Sequence, residues 1–110
     1  MDTNMLITQA YNKIKEAVNT KLSSQGYQIV HEQNNDKVFG SRYVMWSNNE
    51  DALRFTWDGK ESWFLLEVAH ALPLSVLTSW GDIVTEPYDP KKHDATHVNV
   101  ICKRIVNSLE

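Results

Sequence analysis

Apolar side chains recur at three- and four-residue intervals in the first quarter of the chain. The spacing holds from Ile7 to Leu22 and is typical of one face of an α-helix. It predicts a helix over about Thr3 to Gln25. Gly26 follows this segment and suits the left-handed position that ends many helices, with Tyr27 folding back onto the last turn.

Four strand-like segments follow, rich in β-branched and aromatic residues and separated by turn residues. They are Tyr27–Glu32, Lys37–Ser47, Ala52–Trp57 and Glu61–Ala69. Asp58-Gly59 predicts a two-residue hairpin turn between the last two, because a type I′ turn needs positive φ at both central positions.

The last third of the chain predicts one more strand and a second helix. Residues 70–90 contain three prolines, a turn-like Trp80-Gly81-Asp82 and a candidate edge strand, Gly81–Glu86. Helical spacing returns after Asp94 and continues to Leu109, and Asp94 is a suitable N-cap.

This order of elements predicts an α+β fold. Every link between strands is too short for a helical crossover, so the strands form an antiparallel meander of four or five strands. The N- and C-terminal helices bury their apolar stripes on one face of that sheet. We expect residues 1–110 to form a single domain; the closing Leu109–Glu110 is compatible with an expression-vector junction and carries no functional weight.

The predicted hairpin assigns side chains to the two faces of the sheet. A two-residue turn pairs Trp57 with Lys60 and places Arg54 opposite Trp63. The helix-facing side then carries Leu53, Phe55, Trp57, Phe64, Leu66 and Val68, with Val44 and Trp46 joining if Asn48–Asp51 is a four-residue loop. A three-residue turn is the alternative, and it would exchange the faces of the fourth strand.

The opposite face mixes bulky apolar side chains with charged ones. Tyr, Trp, Met and Arg are enriched at interface hot spots, and Arg54 stacked on Trp63 would join two of them. Cross-strand packing on a solvent face is the simpler explanation. The candidate binding surface comprises Tyr43, Met45, Arg54, Glu61, Trp63 and Glu67.

The charge and the cysteine content of the chain limit the kinds of partner and the cellular compartment that we expect for the protein. The net charge is −3, but residues 26–90 carry four basic and ten acidic side chains. An acidic sheet argues against nucleic-acid binding through it. With one cysteine, no signal-like N-terminus and no apolar stretch long enough to span a bilayer, we expect a cytoplasmic protein with no membrane partner.

Candidate catalytic groups are few. His93 and His97 have the spacing of metal ligands, but no companion motif accompanies them, and exposed histidines at a helix start are the simpler interpretation. Cys102 lies on an apolar helical stripe, which favours a buried, inert thiol. His31 or His70 could pair with it in space.

Charged residues of the sheet give one further candidate. Glu61, Glu67, Arg54 and Arg42 could form an acid–base group, although solvated charges are commoner on such a face. The chain has no nucleotide-binding loop, zinc spacing or nucleophile motif. We therefore expect a protein without a cofactor that is not an enzyme.

Two hypotheses for function follow. The first is a non-catalytic protein that binds another protein, or its own copy, through the open sheet face or an edge strand. An overhanging Lys37–Ser47 strand would favour a homodimer. The alternative is a small-ligand site or enzyme with a pocket between the curved sheet and the last helix. In architecture alone, the chain resembles bacterial partner-binding proteins such as immunity proteins and secretion chaperones.

Overall fold

The computed structural model describes residues 3–35, 40–70 and 79–109. Helix α1 spans Thr3–Ser23, as its apolar spacing predicts. Its end is fixed by Gly26, whose φ is +88°. The Tyr27 N–H donates to the Leu22 carbonyl at 3.0 Å and the Gly26 N–H to the Ser23 carbonyl at 3.2 Å. These two bonds form the predicted left-handed helix cap.

Five antiparallel strands form one sheet in chain order, which confirms the predicted meander. Neighbouring strands in the sequence are neighbours in space throughout, so the sheet contains no crossover. The strands are β1 (Gln28–Asn35), β2 (Ser41–Ser47), β3 (Ala52–Asp58), β4 (Trp63–Ala69) and β5 (Gly81–Pro87).

The turn between β3 and β4 differs from the prediction. Trp57 pairs with Phe64 and Asp58 with Trp63, so the connection is a four-residue loop, not a two-residue turn. The Asp58 carboxylate accepts hydrogen bonds from the backbone N–H groups of Lys60 and Glu61. Asp58 therefore caps a longer loop, and the two-residue prediction was wrong because an aspartate can initiate either turn.

Two other local predictions need correction. β1 spans Gln28–Asn35 and so continues three residues beyond the predicted end at Glu32. Trp80-Gly81-Asp82 is not a turn, since β5 begins at Gly81. The described part of β2 has no free edge, because β1 and β3 flank it from Arg42 to Ser47. The predicted overhang from Lys37 lies largely outside the described residues.

Helix α2 spans Ala95–Asn107 after a short 3₁₀ turn, Pro90–Lys92. The Asp94 carboxylate accepts a hydrogen bond from the Thr96 N–H at 2.8 Å, as predicted for an N-cap. Both helices pack on one face of the sheet. The shared core contains Ile7, Ala10, Tyr11, Ile14, Val18, Leu22, Val44, Trp46, Leu53, Phe55, Trp57, Phe64, Leu66, Tyr88, Val98, Ile101 and Ile105.

Aromatic rings join the helices to the centre of the sheet. Tyr11 of α1 stacks on Phe55 with ring centroids 5.2 Å apart, and Phe55 lies 5.7 Å from Phe64. Tyr88 also belongs to this cluster, with its ring centroid 5.5 Å from that of Phe64. This packing commits one face of β2–β4 to the core.

Candidate protein-binding face

The strand register decides which side chains lie on the sheet face opposite the helices. One cross-strand row runs Met45, Arg54, Glu67, and the next runs Tyr43, Thr56, Leu65. Their alternation with buried core residues places them away from the helices. We call this set the outer face, and it comprises Tyr43, Met45, Arg54, Thr56, Trp63, Leu65 and Glu67.

An ordered cluster of charged and aromatic groups lies on the outer face around Arg54. Its Nη2 and Nε atoms lie 2.8 and 2.9 Å from a single oxygen, Oε1 of Glu67. Its guanidinium carbon lies 4.3 Å from the centre of the Trp80 ring. The Glu67 side chain is only 9% exposed and that of Arg54 25%. Glu67 and Trp80 therefore hold the guanidinium in one orientation.

Trp63 does not stack on Arg54 as predicted. The register places it opposite Asp58, at the end of the hairpin, whereas Glu67 is opposite Arg54. Trp63 remains on the outer face and is partly buried. Its indole N–H is enclosed and has no hydrogen-bond partner among the described residues. The four-residue loop shifts the pairing and separates the two residues.

Two other residues of the predicted acid–base group lie elsewhere. Glu61 is exposed in the β3–β4 loop, outside both strands. Arg42 is buried on the helix-facing side, where its Nη1 donates to Thr8 Oγ1 at 2.9 Å. Of the four candidates, only Arg54 and Glu67 meet, so the predicted acid–base group is not assembled.

Tyr43 forms a second ordered group at the β1 side of the outer face. Its hydroxyl donates to Gln33 Oε1 at 2.8 Å, and His31 Nε2 lies 3.1 Å from the Tyr43 hydroxyl oxygen. Met45 lies beside it on β2, as the cross-strand neighbour of Arg54. Tyr43 and Met45 thus extend the surface around Arg54 toward β1.

The surroundings of the histidines and of Cys102 differ from those that a catalytic residue requires. His93 Nδ1 lies 2.7 Å from the Tyr88 hydroxyl, and His70 pairs with Asp51 at 2.8 Å. His31 contacts Tyr43. In residues 3–35, 40–70 and 79–109, none of these three histidines is hydrogen-bonded to Cys102. In the part of the chain that the structure describes, no three His, Cys, Asp or Glu side chains are grouped to hold a metal ion.

Cys102 lies partly buried against the core instead of fully inside it. Burial raises the pKa of its thiol, and the nearby Lys13 ammonium only partly opposes this effect. A raised pKa keeps the sulfur protonated at neutral pH, which is the reverse of what a nucleophilic cysteine needs.

A groove of about 670 Å³ lies at the edge of the molecule. It runs between the β3–β4 loop and the start of α2, lined by Glu61, Tyr88, Lys91, Lys92, His97 and neighbouring residues. The space between sheet and α2 is filled by Phe64, Ile101, Ile105 and other core residues. No arginine lines the groove, so the predicted convergence of His, Glu and Arg in a deep cavity is not found there.

Comparisons with known proteins add no family and no relative. No family model, curated protein or solved structure matches the chain significantly. None of the described helices is long and apolar enough to cross a membrane. A function for this chain is therefore inferred from the geometry of the outer face.

Proposed function

We propose that this chain is a small, non-catalytic cytoplasmic protein that binds another protein through its outer face. In this role it would act as immunity proteins and secretion chaperones do, as a compact domain that presents one surface to a partner. The proposal applies to the surface around Arg54, with Tyr43, Met45, Trp63 and Glu67 as its principal residues.

The observation that carries the proposal is the fixed orientation of Arg54. Its guanidinium is hydrogen-bonded to a buried carboxylate and stacked on an indole, while about a quarter of its side chain stays open to solvent. An arginine held in this way loses little conformational entropy when a partner contacts it. Arginine, tyrosine, tryptophan and methionine are also the residues that contribute most at interface centres.

The small-ligand alternative is supported less well. The peripheral groove is large, but its charged lining combines Glu61 and Asp89 with Lys91 and Lys92. Mixed exposed charges of this kind do not select one ligand chemistry. The outer face, in contrast, combines buried charge with aromatic surface in one ordered cluster.

Site-specific cross-linking tests the proposal. A photo-reactive phenylalanine analogue at Thr56, on the outer face, should capture a specific protein in the native cytoplasm. The same analogue at Thr96, exposed on α2, is the position control. The captured protein is then purified, and its affinity for the unmodified chain is measured by calorimetry.

Two substitutions make the measurement specific. Met45→Ala adds no charge beside the Arg54–Glu67 pair and should weaken binding at least about tenfold, as expected for a central interface residue. Arg104→Ala removes an exposed arginine on α2 and should leave affinity unchanged. Capture from Thr96 but not Thr56, or equal affinities for the Met45→Ala and unmodified chains, would rule out the outer face.

A further inference from the structure

We infer that the partner presents to the outer face a basic side chain flanked by apolar residues. This inference rests on the proposed function and adds the chemistry of the partner. The inference is drawn from the net negative charge around Glu67, which remains after Glu67 is paired with Arg54.

Glu67 uses only one of its carboxylate oxygens within the described part of the chain. Both Arg54 donors converge on Oε1, and no hydrogen bond or ion pair is formed there by Oε2. A carboxylate has acceptor capacity on both oxygens. Oε2 of Glu67 therefore keeps acceptor capacity that Arg54 does not use.

Asp82 adds a second carboxylate beside Glu67. The register makes these residues cross-strand partners between β4 and β5, next to an irregularity in the pairing between Leu66 and Glu67. Residues directly opposite each other in a regular pair have Cβ atoms roughly 5 Å apart. Asp82 is exposed, and no cation in the described residues pairs with it. Arg54, Glu67 and Asp82 together carry a formal charge of −1, and like charges opposite each other are destabilising. A cation from a partner would relieve that repulsion.

The neighbouring side chains favour a protein cation over a free ion. Met45 lies across from Arg54, and Leu65 lies across from Thr56 on the adjacent row. Both are partly exposed. A lysine or arginine packs its aliphatic stem on such surface while its head group reaches the carboxylates. Apolar residues next to it in the partner would cover Met45 and Leu65.

Peptide display tests this inference with a defined probe. A phage-displayed library of random 12-residue peptides is selected on the immobilised full chain, and the enriched peptides are synthesised. We expect one lysine or arginine flanked by apolar residues. Asp82→Asn should weaken their binding about fivefold or more, because it removes a charge that the peptide contacts.

A matched variant controls for net charge. Glu50 is exposed in the loop between β2 and β3, so Glu50→Gln removes one negative charge away from the outer face and should change affinity less than twofold. Peptides that bind equally to the Asp82→Asn and unmodified chains overturn the inference, as does an acidic or neutral consensus. Peptides sensitive to Met45→Ala but lacking a basic residue would refute only the chemistry inferred here and leave the proposed docking face in place.

Discussion

The Arg54–Glu67 pair allows a quantitative test of how the outer face is built. Arg54→Ala leaves a carboxylate that is 9% exposed without its cation. Fully buried pairs cost about 3–5 kcal/mol when one partner is removed, and exposed pairs contribute less than about 1 kcal/mol. Because Arg54 itself is 25% exposed, we expect Arg54→Ala to lower the free energy of unfolding by about 2–3 kcal/mol.

A double-mutant cycle separates the ion pair from the stacking on Trp80. Arg54→Ala, Glu67→Gln and the double variant are unfolded in urea and followed by far-ultraviolet circular dichroism. The stacking is lost in both arms that remove Arg54 and therefore cancels, so we expect a coupling energy of about 2 kcal/mol from the pair alone.

The chain contains its own control for this cycle. Arg104 and Glu86 form an ion pair at 3.3 Å in which Arg104 is 60% exposed. Solvent screening should reduce its coupling energy to about 0.5 kcal/mol or less. The two carboxylates are similarly buried, at 9% and 11% exposed, so equal coupling energies in the two cycles would refute the argument that the lower exposure of Arg54 gives the outer-face pair its strength.

Three further predictions concern single residues. Tyr11→Phe should be neutral or stabilising at pH 7, because the buried Tyr11 hydroxyl has no hydrogen-bond partner in the described part of the chain. Burial is the largest cause that raises the pKa of this hydroxyl, so the native protein should lose stability above about pH 10, where only the unfolded tyrosine ionises. A pH series of urea midpoints should show a smaller loss of stability in the variant. Gly26→Ala should lower the free energy of unfolding, measured by thermal denaturation, by about 1 kcal/mol, because Gly26 has a φ of +88° although a Cβ atom would meet open space. Gly81→Ala should change it almost not at all, because Gly81 has no left-handed φ and its nearest contact would be at 3.9 Å. Equal losses of stability in the two variants would contradict the backbone explanation. Native Cys102 should react with a thiol reagent at pH 7 several times more slowly than in urea, since burial raises its pKa, and equal rates would show an accessible thiolate.

The faces of the sheet were predictable although the hairpin register was not. The prediction paired Trp57 with Lys60, and the structure pairs it with Phe64. This displacement is four residues, and an even displacement keeps every side chain on its predicted face. Leu53, Phe55 and Phe64 are therefore buried as expected. Face assignment depends on the two-residue period of the strand, which the sequence records directly.

The contents of the candidate site were less predictable because they depend on register and on distant residues. Glu67 and Trp63 both lie on the correct face, but only the register shows that Glu67 is the residue opposite Arg54. Trp80 stands 26 positions beyond Arg54 in the chain. No local pattern indicates that its ring meets the guanidinium, since such a contact is set by tertiary packing.

The buried charged side chains are exceptions to the rule that buried positions carry apolar residues. In the described part of the chain, Arg42, Glu67 and Glu86 are the buried charged residues. Arg42 bonds to Thr8 of α1 and Glu86 to Arg104 of α2, so each joins a helix to the sheet. Glu67 joins neither helix.

Desolvating the Glu67 carboxylate costs free energy that its pairing with Arg54 only offsets, and apolar residues at the two positions would pack a sheet at least as stably. Departures from local rules that bring no structural gain are expected at functional sites. The effect of Glu67 is to hold Arg54 in a fixed orientation on the outer face of the sheet. A fixed guanidinium benefits binding more than folding, and this is the physical reason for proposing that the outer face binds a partner.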